Sequence, residues 1–153
     1  LRVGEDEAMH FALLDRRLRQ LGSHYGAMPA HDGFWEAAYA TREDALARLA
    51  IVPMVLEARG LDVTPATMER FEAQGDSTSA RILQRIFTDE IRHVSAGTKW
   101  FESGCRAANL LPKYYWKTLV NRHFHGGVKP PFNDSARSKA GLTRDYYMQV
   151  ALS

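Results

Sequence analysis

Apolar residues recur at three- and four-residue intervals along most of the chain, the spacing of amphipathic helices. Phe11, Leu14, Leu18 and Leu21 form such a stripe over residues 2–21, and Gly22 ends it. A polar, glycine-containing loop at 23–33 leads into a short helical piece at 34–39. The next long helix is predicted at 42–59, with Thr41 as N-cap, Asp44 in the capping-box position and Gly60 as its stop. Leu46, Leu49, Ala50, Pro53, Leu56 and Glu57 share one face, and Pro53 should kink the helix by freeing the carbonyl of Leu49. Thr64 and Pro65 read as N-cap and first residue of a separate short helix ending near Gly75. A long helix follows at 77–108, with Ile82, Leu83, Ile86, Phe87, Val94, Gly97, Trp100 and Phe101 as its apolar stripe. Further helices are predicted at 112–124, 135–140 and 144–152, interrupted by Gly126-Gly127 and Pro130-Pro131. No useful period-two run appears, so the expected class is all-α.

Length fits one domain, residues 1–153, with 109–153 as a C-terminal helical extension of it. The composition, 45% hydrophobic and 25% charged, is ordinary for a soluble protein, and a net charge of +2 does not by itself argue for nucleic acid. Cys105 is the only cysteine and can form no internal disulfide, which fits a reducing cytoplasm. No apolar run approaches a membrane span, and no secretory signal is present. The chain opens with Leu1 rather than Met, six residues before a motif-bearing helix, so upstream sequence is expected to be missing.

The chemistry lies in a repeat. Asp6-Glu7-Ala8-Met9-His10 and Asp89-Glu90-Ile91-Arg92-His93 both read Asp-Glu-x-x-His. Residues three apart lie one helical turn apart on one face, so each Glu-His pair can reach one metal ion. Glu7 and His10 extend the stripe of Leu14, Leu18 and Leu21, while Glu90 and His93 lie inside that of Leu83, Ile86, Gly97 and Trp100. These groups should therefore point into the core, where an uncompensated charge is costly. Glu57 enters an otherwise uncharged run from Ala50 to Leu56 and also asks for a partner, either a metal or an arginine such as Arg48 or Arg59. Glu7, His10, Glu57, Glu90 and His93 are the predicted ligands, converging on two ions. Iron is expected, manganese is possible, and zinc could substitute.

This set is similar to that of the di-iron carboxylate branch of the ferritin-like superfamily, whose four-helix bundle supplies Glu, Glu-x-x-His, Glu and Glu-x-x-His in chain order. The stretches at 25–35 (YGAMPAHDGFW), 55–62 (VLEARGLD) and 131–137 (PFNDSAR) also resemble the bacterial DUF455 family. The resemblance implies a ferritin-like four-helix bundle with short additional C-terminal helices. It also implies that Asp6 braces His93 and Asp89 braces His10. The pattern wants one more Glu on a helix before Glu7. The bundle is therefore expected to lack its first helix, leaving no sixth ligand within 1–153 and an apolar groove for another chain, an upstream segment or the tail. The function implied is oxygen activation by an oxidase or monooxygenase acting on a small molecule. Iron storage, ferroxidation or peroxide removal, and a non-catalytic interaction module, are the alternatives.

Other features carry less. His31, Tyr25 and Trp35 sit in a loop able to cover a site or simply to pack; His24, His123 and His125 read as surface residues. The basic stretch 113–144, with Tyr114, Tyr115, Trp116 and Phe124 interleaved, could meet RNA or an anionic substrate, or be an amphipathic helix with a solvated face. A homo-oligomer is compatible with all of these readings.

Overall fold

The computed structural model describes residues 2–151. Its elements are α1 (Arg2–Gln20), α2 (Gly33–Ala40), α3 (Ala45–Ile51), a π-helical segment (Val52–Glu57), α4 (Ala58–Ala73), α5 (Ser77–Ala107), α6 (Pro112–His123), α7 (Asp134–Lys139) and α8 (Arg144–Tyr147). The fold is all-α; among the described residues the only β feature is an isolated bridge between Val128 and Ala151. Among them, too, no helix is long and apolar enough to cross a membrane. Residue 152, the end of the last predicted helix, lies outside the described residues.

Two sequence expectations fail in the middle of the chain. The helix does not stop at Gly60, and Thr64 caps nothing: α3, the π segment and α4 run without a break from residue 45 to residue 73. Pro65 lies inside α4, where its missing N–H leaves the Leu61 carbonyl without its intrahelical donor. The Asn133 side-chain amide donates to that carbonyl at 3.2 Å instead, so a contact distant in sequence repairs the ladder. The N-cap is also displaced. Asp44 caps α3 by accepting from the Ala47 amide, whereas the Thr41 hydroxyl turns back to the Ala37 carbonyl at the end of α2.

Pro53 produces a π turn rather than a simple kink. It cannot donate to Leu49, and the ladder resumes in a wider register, with the Ala58 amide reaching the Pro53 carbonyl five residues back. The indole of Trp116 donates to the Ala50 carbonyl nearby. The widened turn packs on α5 at Gly97, where an added Cβ would lie 2.5 Å from Pro53 Cβ and Cγ. Gly104 plays a milder part: an added Cβ there would lie 2.6 Å from the tip of the Leu46 side chain.

The core lies between this long helix, α5 and α6, built on Ile51, Met54, Leu61, Phe101, Trp116 and Leu119. A short turn joins α4 to α5, with Gly75 at φ +77° and Asp76 accepting from the Ser79 amide. The two helices are therefore antiparallel neighbours. By contrast, α1 rests chiefly on α5, and its apolar stripe is largely uncovered. Phe11, Leu14 and Leu21 are exposed, as is Trp100 of the α5 stripe. Leu14, Leu18, Leu21, Phe71, Ile82 and Leu83 line an open apolar cavity of 340 Å³. The tail does not fill it, because α7 and α8 pack against α4, α5 and α6.

The two helical glycines should respond differently to alanine. Either change gains up to about 1 kcal/mol of helix propensity. At Gly97 the new methyl meets a ring fixed to the backbone, and overpacking of that kind costs about 1–3 kcal/mol. Gly97→Ala should therefore lower stability in urea unfolding, while Gly104→Ala, facing a rotatable leucine tip, should be near neutral. Equal stability of the two variants would refute the close-packing argument.

Candidate metal centre

The two Asp-Glu-x-x-His turns meet across α1 and α5. The helices run antiparallel, pairing Asp6 with His93, His10 with Asp89, and Arg17 with Asp76. Each imidazole uses Nε2 on an aspartate of the opposite helix: His93 meets Asp6 at 3.1 Å and His10 meets Asp89 at 3.2 Å. Both Nδ1 atoms are thereby turned towards the glutamates. His93 Nδ1 lies 2.9 Å from Glu7 and 3.6 Å from Glu90, and His10 Nδ1 lies 3.7 Å from each. The ring centroids are 5.7 Å apart.

Glu57 enters from the last residue of the π segment. Two triads result, Glu7-His10-Glu90 and Glu57-Glu90-His93, each with its donor atoms within 4.8 Å of one another. Glu90 belongs to both. Neither arginine weighed as a partner reaches Glu57. Arg59 binds the Lys129 and Pro131 carbonyls, and Arg48 turns to Thr41 and the Ala38 carbonyl. Among the described residues no sixth histidine or acid joins the cluster, and Glu36 and Glu43 are exposed elsewhere.

Burial makes the arrangement demanding. His10 and His93 are 4% and 2% exposed. His10 Nδ1 and Glu90 Oε2 are buried without a hydrogen-bond partner, and His93 Nδ1, although 2.9 Å from Glu7, is not aligned to hydrogen-bond to it; native structures rarely tolerate such groups. Burial, then repulsion by Glu7 and Glu57, pushes the Glu90 carboxyl up to about 7. Burial also raises Glu57, against the attraction of His93. Burial alone would lower His93, but its bond to Asp6 and the charges of Glu90, Glu7 and Glu57 raise it. Outside this ring the balance reverses. Burial would raise Asp89, yet Arg85, His10 and Arg92 hold it well below the usual carboxylate range. The hydrogen bond from His93 lowers Asp6. The cluster is thus an inner set of carboxylates short of positive charge, braced by histidines, aspartates and outer arginines.

A cavity of 490 Å³ opens beside it, lined by Glu7, Glu57 and Glu90 together with Phe34, Leu56 and Ile86. Phe34 is the loop-end aromatic that reaches this cavity, whereas Tyr25 and Trp35 stay exposed. His31 accepts from the Gly33 amide, a local loop contact. In the basic stretch, Trp116 is buried and Tyr115 stacks on Phe101, so part of the aromatic interleaving is core packing. Lys113 and Arg144 pair with Asp145 and Asp134. Arg137, one of the cations of that stretch, is 1% exposed.

Residues 1–148 match the family model described as "Protein of unknown function (DUF455)". A Haemophilus influenzae protein described as "Uncharacterized protein" is 39% identical over 144 residues, covering 94% of this chain and 50% of its own length. The chain thus spans about half the length of that curated relative. No solved structure matches.

The raised carboxyls set a pH dependence. Glu90 moves from 4.5 to about 7, so the folded chain holds this proton more tightly than the unfolded chain does. Its contribution is full below the unfolded value and is lost as pH rises through the folded value. His93 and Glu57 act in the same sense. Asp6 and Asp89 lose theirs only in acid. Metal-free protein should therefore melt at falling temperature from about pH 5 to about pH 8. Glu90→Gln should flatten the trend, and saturating Mn(II), which displaces the proton, should abolish it. A melting temperature that climbs over this range in metal-free protein would contradict the assignment.

Proposed function

Starting from the chain's membership of the DUF455 family, which residues 1–148 match, we propose that it carries the main part of a ferritin-like di-metal carboxylate centre. We propose further that this centre serves an oxygen-activating oxidase or monooxygenase. The observation that carries the reading is a set of three buried atoms without an aligned hydrogen bond, His10 Nδ1, His93 Nδ1 and Glu90 Oε2, gathered with the carboxylates of Glu7 and Glu57. Two cations satisfy all three and relieve the repulsion that raises Glu90. The donors fit iron or manganese, which accept mixed carboxylate and imidazole ligands. Glu7 and His10 would hold one ion, Glu57 and His93 the other, and Glu90 would bridge them. Two helices carrying Glu-x-x-His and a third carrying Glu match the ferritin-like ligand pattern in order.

An iron pair in such a centre supplies one-electron and dioxygen chemistry. The protein's own residues supply the rest. Asp6 and Asp89 fix both imidazoles through Nε2, so that Nδ1 is the ligating nitrogen. Arg92, paired with both aspartates, keeps them ionised for that task. Phe34, Leu56 and Ile86 give the adjoining cavity apolar walls that orient a small organic molecule against Glu57 and Glu90. The cavity favours substrate oxidation over iron storage or peroxide removal, which need no organic pocket. A non-catalytic helical module would have no use for three unpartnered donors in its interior.

Aerobically purified protein should contain close to two iron or manganese ions per chain by elemental analysis. Glu90→Ala, which removes the bridging group, should lose at least one of them while remaining helical by circular dichroism. A folded variant that keeps both ions would sink the proposed ligand set.

A further inference from the structure

A second cavity lies on the other side of Leu56 and Arg59, between the π segment, the start of α4 and residues 124–129. We propose that it is a seat for a small oxyanion, a carboxylate or phosphate carried by a small molecule. Its volume is 270 Å³, and Arg59, Lys129 and Arg137 contribute three cations to its lining with no carboxylate among the lining residues. It is therefore suited to a compact ligand, near the lower end of known binding pockets.

Arg137 is the centre of the case. Its Nε and Nη2 donate to Asp62 at 2.8 and 2.7 Å, and both partners are buried. The rings of Phe132 and Tyr147 pack on the guanidinium at 5.1 and 4.6 Å. With one edge committed to Asp62, the donor left over is Nη1, which is buried and has no acceptor. Fixed guanidinium donors of this kind match planar or tetrahedral oxyanions.

The neighbouring cations are also preset. Arg59 is anchored through Nη1 to the carbonyls of Lys129 and Pro131 at 2.8 and 3.1 Å and lies 3.6 Å from Asp62, which it shares with Arg137, while its side chain remains 41% exposed. Those bonds fasten the segment bearing Lys129 to α4, at the rim that Lys129 helps to line. Asp62 balances one of the three positive charges, so the seat keeps an excess of cation. Gly126 and Gly127 leave part of the rim free of side chains, and Leu56, Phe124 and Val128 supply an apolar wall for the rest of the ligand. None of the proposed metal ligands lines this cavity, so the proposal stands apart from the metal reading.

The test is titration of the purified protein with inorganic phosphate, acetate and neutral acetamide at constant ionic strength, read by calorimetry and thermal shift. Saturable binding of phosphate, acetate or both is expected, with none for acetamide. Phosphate alone would identify a phosphorylated ligand, and acetate alone a carboxylate ligand. Lys129→Gln and Arg59→Gln should each weaken binding roughly tenfold, the loss of one charge-assisted contact. Both side chains are partly solvent-facing, so these variants should fold, with circular dichroism as the check. Glu90→Ala should bind the anion undiminished, which separates this seat from the metal centre. Absence of saturable binding, equal binding of acetamide, or affinity unchanged in both charge variants would overturn the proposal and leave a water-filled cavity.

Discussion

A helix that must pass through Pro53 has to lose a hydrogen bond, and the way this chain absorbs that loss sets the geometry of the candidate site. The π segment keeps the helix continuous while widening one turn. That turn lies against Gly97, one helical turn beyond His93 on α5. A side chain at Gly97 would push the long helix away from α5 and carry Glu57 with it. Backbone chemistry at a proline and the absence of one Cβ thus bring a third carboxylate within reach of Glu90 and His93. Insertions of this kind are frequent at functional sites; here the insertion ends on the residue that enters the cluster.

Charge is arranged around that geometry in alternating layers. Arginines pair with the aspartates, the aspartates hold the two buried imidazoles, and the imidazoles face three glutamates, of which Glu7 is half exposed. Each layer is balanced by the next except the last. In the ring of Glu7, Glu57 and Glu90 the burial and repulsion fall on Glu90, whose proton is held up to about 7. A purely structural core would have resolved this by spending an arginine on Glu57. The nearby arginines are instead committed to backbone carbonyls and to Thr41.

Much of this was legible in the sequence, for identifiable reasons. Helical period three brings Glu and His together on one face whatever lies around them, so the repeated Asp-Glu-x-x-His turns stood out. Glu57 stood out because a carboxylate in an apolar run is costly. The errors came where tertiary contacts override local punctuation. Gly60 and Pro65 are ordinary stop signals, but Asn133, far along the chain, restores the hydrogen bond that Pro65 removes. Periodicity also misled about burial. It marks Phe11, Leu14, Leu21 and Trp100 as an apolar face, yet carries no information on whether anything covers that face, and here they are exposed. Arg137 erred in the opposite direction. In the sequence it is one cation of a basic stretch read as an anion-facing surface or a solvated face, and only the fold brings Asp62 against it.

The stretch from Val55 to Asp62 joins these observations. Its winding turns Glu57 towards α1 and α5 and turns Asp62, five residues later, towards the segment that ends in Arg137. Leu56 and Arg59 lie between and line both cavities, the acidic one beside Glu57 and the basic one beside Arg137. Opposite potentials across so thin a wall reinforce one another, because each side stabilises the charge that the other must bury. Arg59 holds this position through two backbone carbonyls and through Asp62 at 3.6 Å, a carboxylate it shares with Arg137, so the two arginines together keep one positive charge in excess. The same helix therefore supplies a carboxylate to one cavity and, in Arg59, a cation to the boundary between the two.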